Sequence, residues 1–184
     1  KILNTTVQPI ITYSQNKEDI ILASLFKDVE NGFYVDIGAA HPEYLSVTKY
    51  FYTRGWSGIN AEPNQRLFDL VTQHRPRDKT YRFAISDSEQ KTVQFREYLG
   101  DGLSTLSSKM KQEYDESTIA GTRYYRDYNV PTISLATLLA KDNPEVIHFM
   151  KVDVEGFEYE VLKSNDWSKY RPRIICVEAN HVDR

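Results

Sequence analysis

The chain predicts an α/β fold, a mainly parallel sheet with helices on both faces. Three observations lead there. Short apolar runs of strand length recur along the 184 residues and alternate with segments of helical period. The run Phe33-Tyr-Val-Asp-Ile breaks at Gly38, as a buried parallel strand does when it turns tightly into a helix. The runs also end alike, in acids: Asp36, Glu62, Asp87, Asp153 with Glu155, and Glu178. Strands of a parallel sheet run one way, so these ends are expected along one rim.

The elements follow in order. Ser14 is a cap candidate, and Ile20, Ile21, Leu25 and Phe26 come after it at helical spacing, which predicts an amphipathic helix over 14–27. Strand one is 32–37. The turn Gly38-Ala-Ala-His-Pro leads into a helix over 46–54, and strand two is 57–61. Pro63-Asn64 opens a helix carrying Leu67, Phe68, Leu70 and Val71. Residues 80–85 read as a third strand closed by Ser86-Asp87, and 91–98 alternates as a strand does. Residues 100–129 are polar with no clean period and some helical character near 109–116. So long a stretch is expected to be a functional loop or partly disordered. A strand at 130–134, a short helix at 135–140, a strand at 146–152, a helix at 159–163 and a last strand at 173–177 complete the pattern.

Bulk composition excludes several function classes. A net charge of −3 disfavours non-specific binding to nucleic acid or anionic membrane. No apolar run approaches membrane-spanning length, and no signal-peptide pattern opens the chain. The single cysteine, Cys176, permits no internal disulfide. Within Arg-Ile-Ile-Cys-Val-Glu it reads as a core residue rather than a nucleophile, and it suits a reducing, cytoplasmic setting.

Ligands of an open parallel sheet bind beyond the carboxyl ends of its strands. One acid at a strand end is weak evidence. Five are hard to explain by packing, because a buried acid is costly unless it binds something. In a βαβ unit the acid closing the second strand, here Glu62, lies where a ribose would sit. A dinucleotide would further need a G-x-G-x-x-G turn that admits pyrophosphate to a helix N-terminus. Here Gly38 is followed by Ala39-Ala40-His41-Pro42, and the turn holds no Lys or Arg. That disfavours NAD and ATP. It suits a cofactor without phosphates whose positive groups prefer acids nearby, namely S-adenosylmethionine.

Phe-Tyr-Val-Asp-Ile-Gly-Ala at 33–39, Asn-Ala-Glu-Pro-Asn at 60–64, Ala-Ile-Ser-Asp at 84–87 and above all Phe-Met-Lys-Val-Asp-Val-Glu-Gly-Phe-Glu at 149–158 together resemble the FkbM-type methyltransferases. Tyr13–Asp19 and Ser46–Trp56 resemble one branch of that family. The resemblance implies a Rossmann-like class I methyltransferase fold and S-adenosylmethionine-dependent O-methylation, with a sugar hydroxyl of a glycan or glycolipid precursor as the expected acceptor. It implies that Asp36, Gly38 and Ala39 form the cofactor turn. Glu62 then takes both ribose hydroxyls, Ile85, Ser86 and Asp87 edge the adenine, and Asp153 and Glu155 flank the methyl group and acceptor. Members continue past the fifth strand into a helix and an antiparallel pair. The expected organisation is therefore a helical segment at 1–30 packed on a core at 31–184 that lacks its last strands, with a second copy or another domain completing the sheet.

Methyl transfer requires the acceptor oxygen to be aligned opposite the sulfur and relieved of its proton. Asp153 is the favoured base or acceptor-orienting group, with Glu155 and His41 as competitors. Asp153, Glu155 and Glu178 could instead gather a divalent cation, a reading that ranks below metal-free chemistry. Structural roles compete with several of these assignments. Glu62 could cap the helix after Pro63-Asn64, Glu155 could cap the helix after Gly156-Phe157, and Lys151 could pair with an acid. His41 could be structural, and 102–108 could be an acceptor-facing lid or a plain loop. His74 and His148 read as surface residues, and His181 stands near the end of the chain. Two other functions remain open: a small-metabolite O-methyltransferase, with or without metal assistance, and a non-catalytic methyltransferase-like interaction module. The intact Asp36, Glu62 and Asp153 speak against the module.

Overall fold

The computed structural model describes residues 10–87 and 90–179. His181 and the chain's end at Arg184 lie outside them. Five parallel strands form the main sheet in the order β3 (Lys79–Tyr81), β2 (Ser57–Ala61), β1 (Phe33–Ile37), β7 (Phe149–Val152) and β8 (Ile174–Val177). Parallel neighbours need crossovers. Helix α2 (Val47–Tyr52) joins β1 to β2, α3 (Gln65–His74) joins β2 to β3, and α6 (Glu158–Lys163) joins β7 to β8. Before them comes α1 (Glu18–Leu25). The alternation of side chains along each strand divides the core in two. Val35, Ile37, Ile59, Met150 and Val152 face Leu135, Leu138 and Leu139 of α5 (Leu135–Asp142) and Val161 of α6. On the opposite face Tyr34 and Phe149 pack with Leu22, Phe26, Val47, Phe51 and Trp56. Phe51 sits at the centre of that cluster, its ring 4.6 Å from Phe149 and 4.8 Å from Trp56. Deleting such a ring typically costs about 3–5 kcal/mol.

A second, three-stranded sheet holds β4 (Ala84–Ile85), β6 (Tyr124–Ile133) and β5 (Thr92–Tyr98), with β6 parallel to β4 and antiparallel to β5. It corrects two expectations. The run 80–85 is not one strand. The N–H of Glu62 bonds Tyr81 O and closes the ladder of β3, Arg82 and Phe83 cross over, and Ala84–Ile85 pairs with Thr132–Ile133. A continuous apolar run does not reveal a change of partner. Nor is 100–129 irregular throughout. It contains α4 (Ser108–Glu116), started by Ser107 Oγ accepting from Met110 N, and the first half of β6. That half is largely exposed and held by cross-strand ion pairs, Arg96 with Asp127 at 2.8 Å and Arg126 with Glu97 at 2.8 Å. It therefore lacks the apolar period that marks a half-buried strand.

Ser14 does not cap α1 directly. The helix starts after Lys17, which is left-handed at φ 66°. Ser14 Oγ still accepts from Asp19 N at 3.3 Å, from outside the helix. Among the described residues no helix is long and apolar enough to cross a membrane.

Candidate active site

Strand register builds the site. Ile37 pairs with Ala61 on one side and Val152 on the other, and Val152 pairs with Val177. The ladder continues one residue further, through Gly38 N to Ala61 O, Asp153 N to Ile37 O and Glu178 N to Val152 O. Glu62, Gly38, Asp153 and Glu178 therefore stand in one row across β2, β1, β7 and β8. Two residues back, on the same face, Asn60, Asp36, Lys151 and Cys176 form a parallel row. Three of the strand-end acids share the rim as expected. Asp36 sits one row deeper, and Asp87 lies after β4 in the other sheet, where Lys163 Nζ donates to it at 2.7 Å.

The deeper row holds the turn in place. Asp36 is fully buried and accepts from Thr48 Oγ1 at 2.6 Å. Its other oxygen makes no hydrogen bond and lies 3.5 Å from Lys151 Nζ. Lys151 donates to Gly38 O at 2.6 Å and reaches Asp153 at 3.2 Å. Burial alone would lower the basicity of Lys151, but Asp36 and Asp153 outweigh it and hold the ammonium charged. Conversely, burial would raise the carboxyl of Asp153, and Lys151 brings it below its usual range. A Cβ on Gly38, whose φ is +78°, would stand 1.9 Å from Asp153 O, so only glycine lets the two turns close on each other. The buried guanidinium of Arg75 donates to Thr48 Oγ1, to Pro42 O at 2.7 Å and to Ser46 Oγ at 2.6 Å, fixing the start of α2 from below.

Above the rim row lies a cleft of about 580 Å³, its open mouth included. Glu62 and Asp153 flank the β1 turn within it, and the remaining wall is largely apolar: Leu67, Phe83, Ile85, Phe95 and Leu106. Glu62 is buried, accepting from Ala40 N and Asn64 N at 2.8 Å each, one bond per oxygen. A carboxylate has about four acceptor positions, so each oxygen keeps a lone pair. Burial raises the Glu62 carboxyl to about 7, against the backbone N–H groups of Asn64 and Ala40 and the charge of Lys151. The helix cap itself is Asn64, whose Oδ1 accepts from Leu67 N at 3.2 Å.

The segment between β5 and β6 closes over the other end of the rim. The hydroxyl of Tyr114 donates to the Glu155 carboxylate, and Thr105 Oγ1 donates to Glu155 O at 2.7 Å. Glu155 is left-handed at φ 55°. Burial raises its carboxyl to about 7, and the hydrogen bond from Tyr114 pulls the other way. Oxygens of Asp153, Glu155 and Glu178 come within 4.8 Å of one another.

The remaining expected residues fall outside the lining of the cleft. His41 Nδ1 accepts from Glu43 N at 3.1 Å and Tyr44 N at 3.3 Å, which commits that nitrogen to the turn. His148 is half-buried against Phe26 and Trp56, and its Nδ1 accepts from Phe33 N. Ala39 is buried behind Ala40, and Ser86 and Asp87 stand just beyond Ile85. The sequence reading missed Ala40, Phe83, Phe95 and Leu106. Ala40 carried one signal, its place in a turn between two strand ends. The others lie in or beside the second sheet, whose docking no local pattern announces.

The donor set has a definite character. A buried carboxylate with spare lone pairs, an apolar wall and a turn that carries no cation of its own, the one ammonium reaching it being paired with Asp36 and Asp153, fit a nucleoside that carries positive charge and no phosphate. The family model described as the Methyltransferase FkbM domain matches residues 36–183, which span every rim residue named above. No curated protein and no solved structure matches the chain. The five-stranded parallel sheet covered by helices is the Rossmann-like arrangement that such a domain requires. The chain belongs to the FkbM methyltransferase domain family.

Proposed function

We propose that this methyltransferase uses S-adenosylmethionine and methylates a hydroxyl oxygen, with a sugar of a glycan or glycolipid precursor as acceptor. One observation carries the reading: Glu62 and Asp153 flank the β1 turn in an otherwise apolar cleft. When bound, S-adenosylmethionine supplies an electrophilic methyl group on a positive sulfur. Glu62 receives the two ribose hydroxyls on its spare lone pairs, Phe83, Ile85 and Phe95 receive the base, and Ser86 and Asp87 edge it. Gly38, Ala39 and Ala40 let the backbone approach, while Asp36 acts from beneath through Lys151 and Thr48. Asp153, kept ionised by Lys151, accepts the hydrogen bond of the acceptor hydroxyl and orients it. Glu155, raised to about 7 and with an oxygen within 4.8 Å of one of Asp153, is better matched to receive the proton by way of Asp153 at neutral pH and pass it to solvent. His41 is the weaker base because its Nδ1 already serves two backbone N–H groups.

A metal-assisted variant is favoured by the approach of Asp153, Glu155 and Glu178. Lys151 on Asp153 and Tyr114 on Glu155 already compensate two of these carboxylates, so the metal-free path is preferred. Chelator-insensitive turnover supports it, and turnover lost to chelator and restored by a divalent cation overturns it. The cofactor assignment is tested by titration calorimetry with S-adenosylhomocysteine. Wild type binds, and Glu62→Ala loses at least about tenfold, the cost of one buried hydrogen-bonded group. Equal affinity in the variant removes the ribose assignment.

A further inference from the structure

We propose that the polar groove between the N-terminal strap and the ends of β7 and β8 is the acceptor site, and that it takes a neutral polyhydroxylated ring. The proposal rests on the reading of the cleft as the cofactor site. Two hollows meet at the rim. The first is that cleft. The second is a groove of about 690 Å³, its open mouth included, lined among others by Gln15, Asn16, Glu18, Leu45, Asp153 and Glu178. Among the described residues Asp153 is the one that lines both. Group transfer requires donor and acceptor sites that touch at the reacting atoms. The shared residue marks where these two touch.

The outer wall of the groove is preorganised. Asp19, fully buried, accepts from Thr12 Oγ1 at 2.7 Å, Tyr13 N at 2.7 Å and Ser14 Oγ at 2.8 Å. Ser46 N donates to Tyr13 O at 3.0 Å and ties this strap to the start of α2, just past the cofactor turn. Asn16 donates through its N–H and its Nδ2 to the two oxygens of Glu18, at 2.9 and 3.2 Å. A wall held at this many points presents its amides and carboxylates in fixed positions.

The lining selects the acceptor's chemistry. Carboxylates only accept hydrogen bonds and amides do both, which matches a ring bearing several hydroxyls. Leu45 offers an apolar patch for the C–H face of such a ring. The charged groups facing the groove are Glu18, Asp153, Glu178 and Lys151, and the ammonium of Lys151 is committed to Gly38 O, Asp36 and Asp153. Glu18 stays ionised: burial would raise its carboxyl, but the backbone N–H groups of Glu18 and Asn16 hold it low. A phosphate or uronate beside the reacting oxygen would meet a net negative wall.

The test is saturation-transfer NMR on protein saturated with S-adenosylhomocysteine. The probes are methyl glycosides of mannose, rhamnose and fucose, against glucuronic acid, glucose 6-phosphate and glucosamine. The neutral glycosides are expected to receive saturation and the anions none. Asn16→Trp and, separately, Gln15→Trp, which plug the groove from exposed positions, abolish that signal. Both leave affinity for S-adenosylhomocysteine within about twofold, which also verifies folding. A signal that survives both variants, or that arises only with charged sugars, overturns the proposal. Wild type that binds S-adenosylhomocysteine but no neutral glycoside overturns the groove and leaves the cofactor reading standing. Absence of S-adenosylhomocysteine binding removes the cofactor reading and the groove with it.

Discussion

Lys151 Nζ donates to the carbonyl oxygen of Gly38 at 2.6 Å, so one buried ammonium joins the turn after β1 to the acid that ends β7. The join follows from register. Lys151 lies directly across from Asp36, and two residues further along each strand the same face carries Asp153 and Gly38. The turn and Asp153 are thereby tied to each other, which the alignment of two reactants would require in the proposed reaction.

Removing that ammonium isolates a charge. In Lys151→Met the carboxylate of Asp36 stays buried with Thr48 as its remaining close donor. The expected loss is about 3–5 kcal/mol in urea unfolding, the usual result of breaking a buried pair on one side. Lys151→Met combined with Asp36→Asn, which removes the orphaned charge as well, should recover a substantial part of it. A double variant no more stable than the single one would mean that Asp36 is not the group Lys151 compensates.

Glu62 makes stability depend on pH. Unfolded, it titrates near 4.5; folded, near 7 because it is buried. Between those values the folded protein keeps a proton that the unfolded chain has released, so stability falls as pH rises through the window. The penalty is absent below pH 4.5 and complete above pH 7, at about 3 kcal/mol. Glu62→Gln cannot ionise. Its advantage over wild type should therefore be about 3 kcal/mol larger at pH 8 than at pH 4, while the constant cost of an amide oxygen that serves only one of the two N–H groups shifts both values alike. Glu155 leaves a similar slope in both proteins. Parallel stability curves for the two proteins from pH 4 to 8 would contradict this. The buried acid is thus costly to the fold, as expected of a group kept for function rather than stability.

The sequence made parts of this legible for identifiable reasons. The order Lys-Val-Asp at 151–153 puts both charges on one face of a strand, and Glu62 announces itself by ending a strand just before a Pro-Asn helix start. What stayed hidden depends on partners distant in the chain. Nothing local says that Lys151 will lie across from Asp36, or that Ala84–Ile85 will leave the main sheet and carry Asp87 with it. The polar stretch after Tyr98 gave no period because ion pairs, not burial, hold its outer strand. Its helix α4 nevertheless delivers Tyr114 to the rim. His41 reads two ways for a local reason: a histidine two and three residues before backbone N–H groups can cap a turn as readily as it can accept a proton.

Tyr114 provides the means to detect the charge on Glu155. Its hydroxyl donates to that carboxylate, and burial together with the negative charge of Glu155 pushes its own ionisation far up, so it remains a donor throughout. A hydrogen bond to a charged acceptor contributes about 1.5–3 kcal/mol and one to a neutral acceptor about 0.5–1.5. Glu155 is protonated in the folded protein below about 7 and ionised above it. Tyr114→Phe should therefore cost more at pH 8.5 than at pH 5.5, by about 1 kcal/mol. Because the lost bond had held the Glu155 carboxyl down, the window over which stability falls with rising pH should extend upward in the variant. Urea unfolding at the two pH values measures both effects. An equal cost at both would show that the hydroxyl does not sense the ionisation of Glu155.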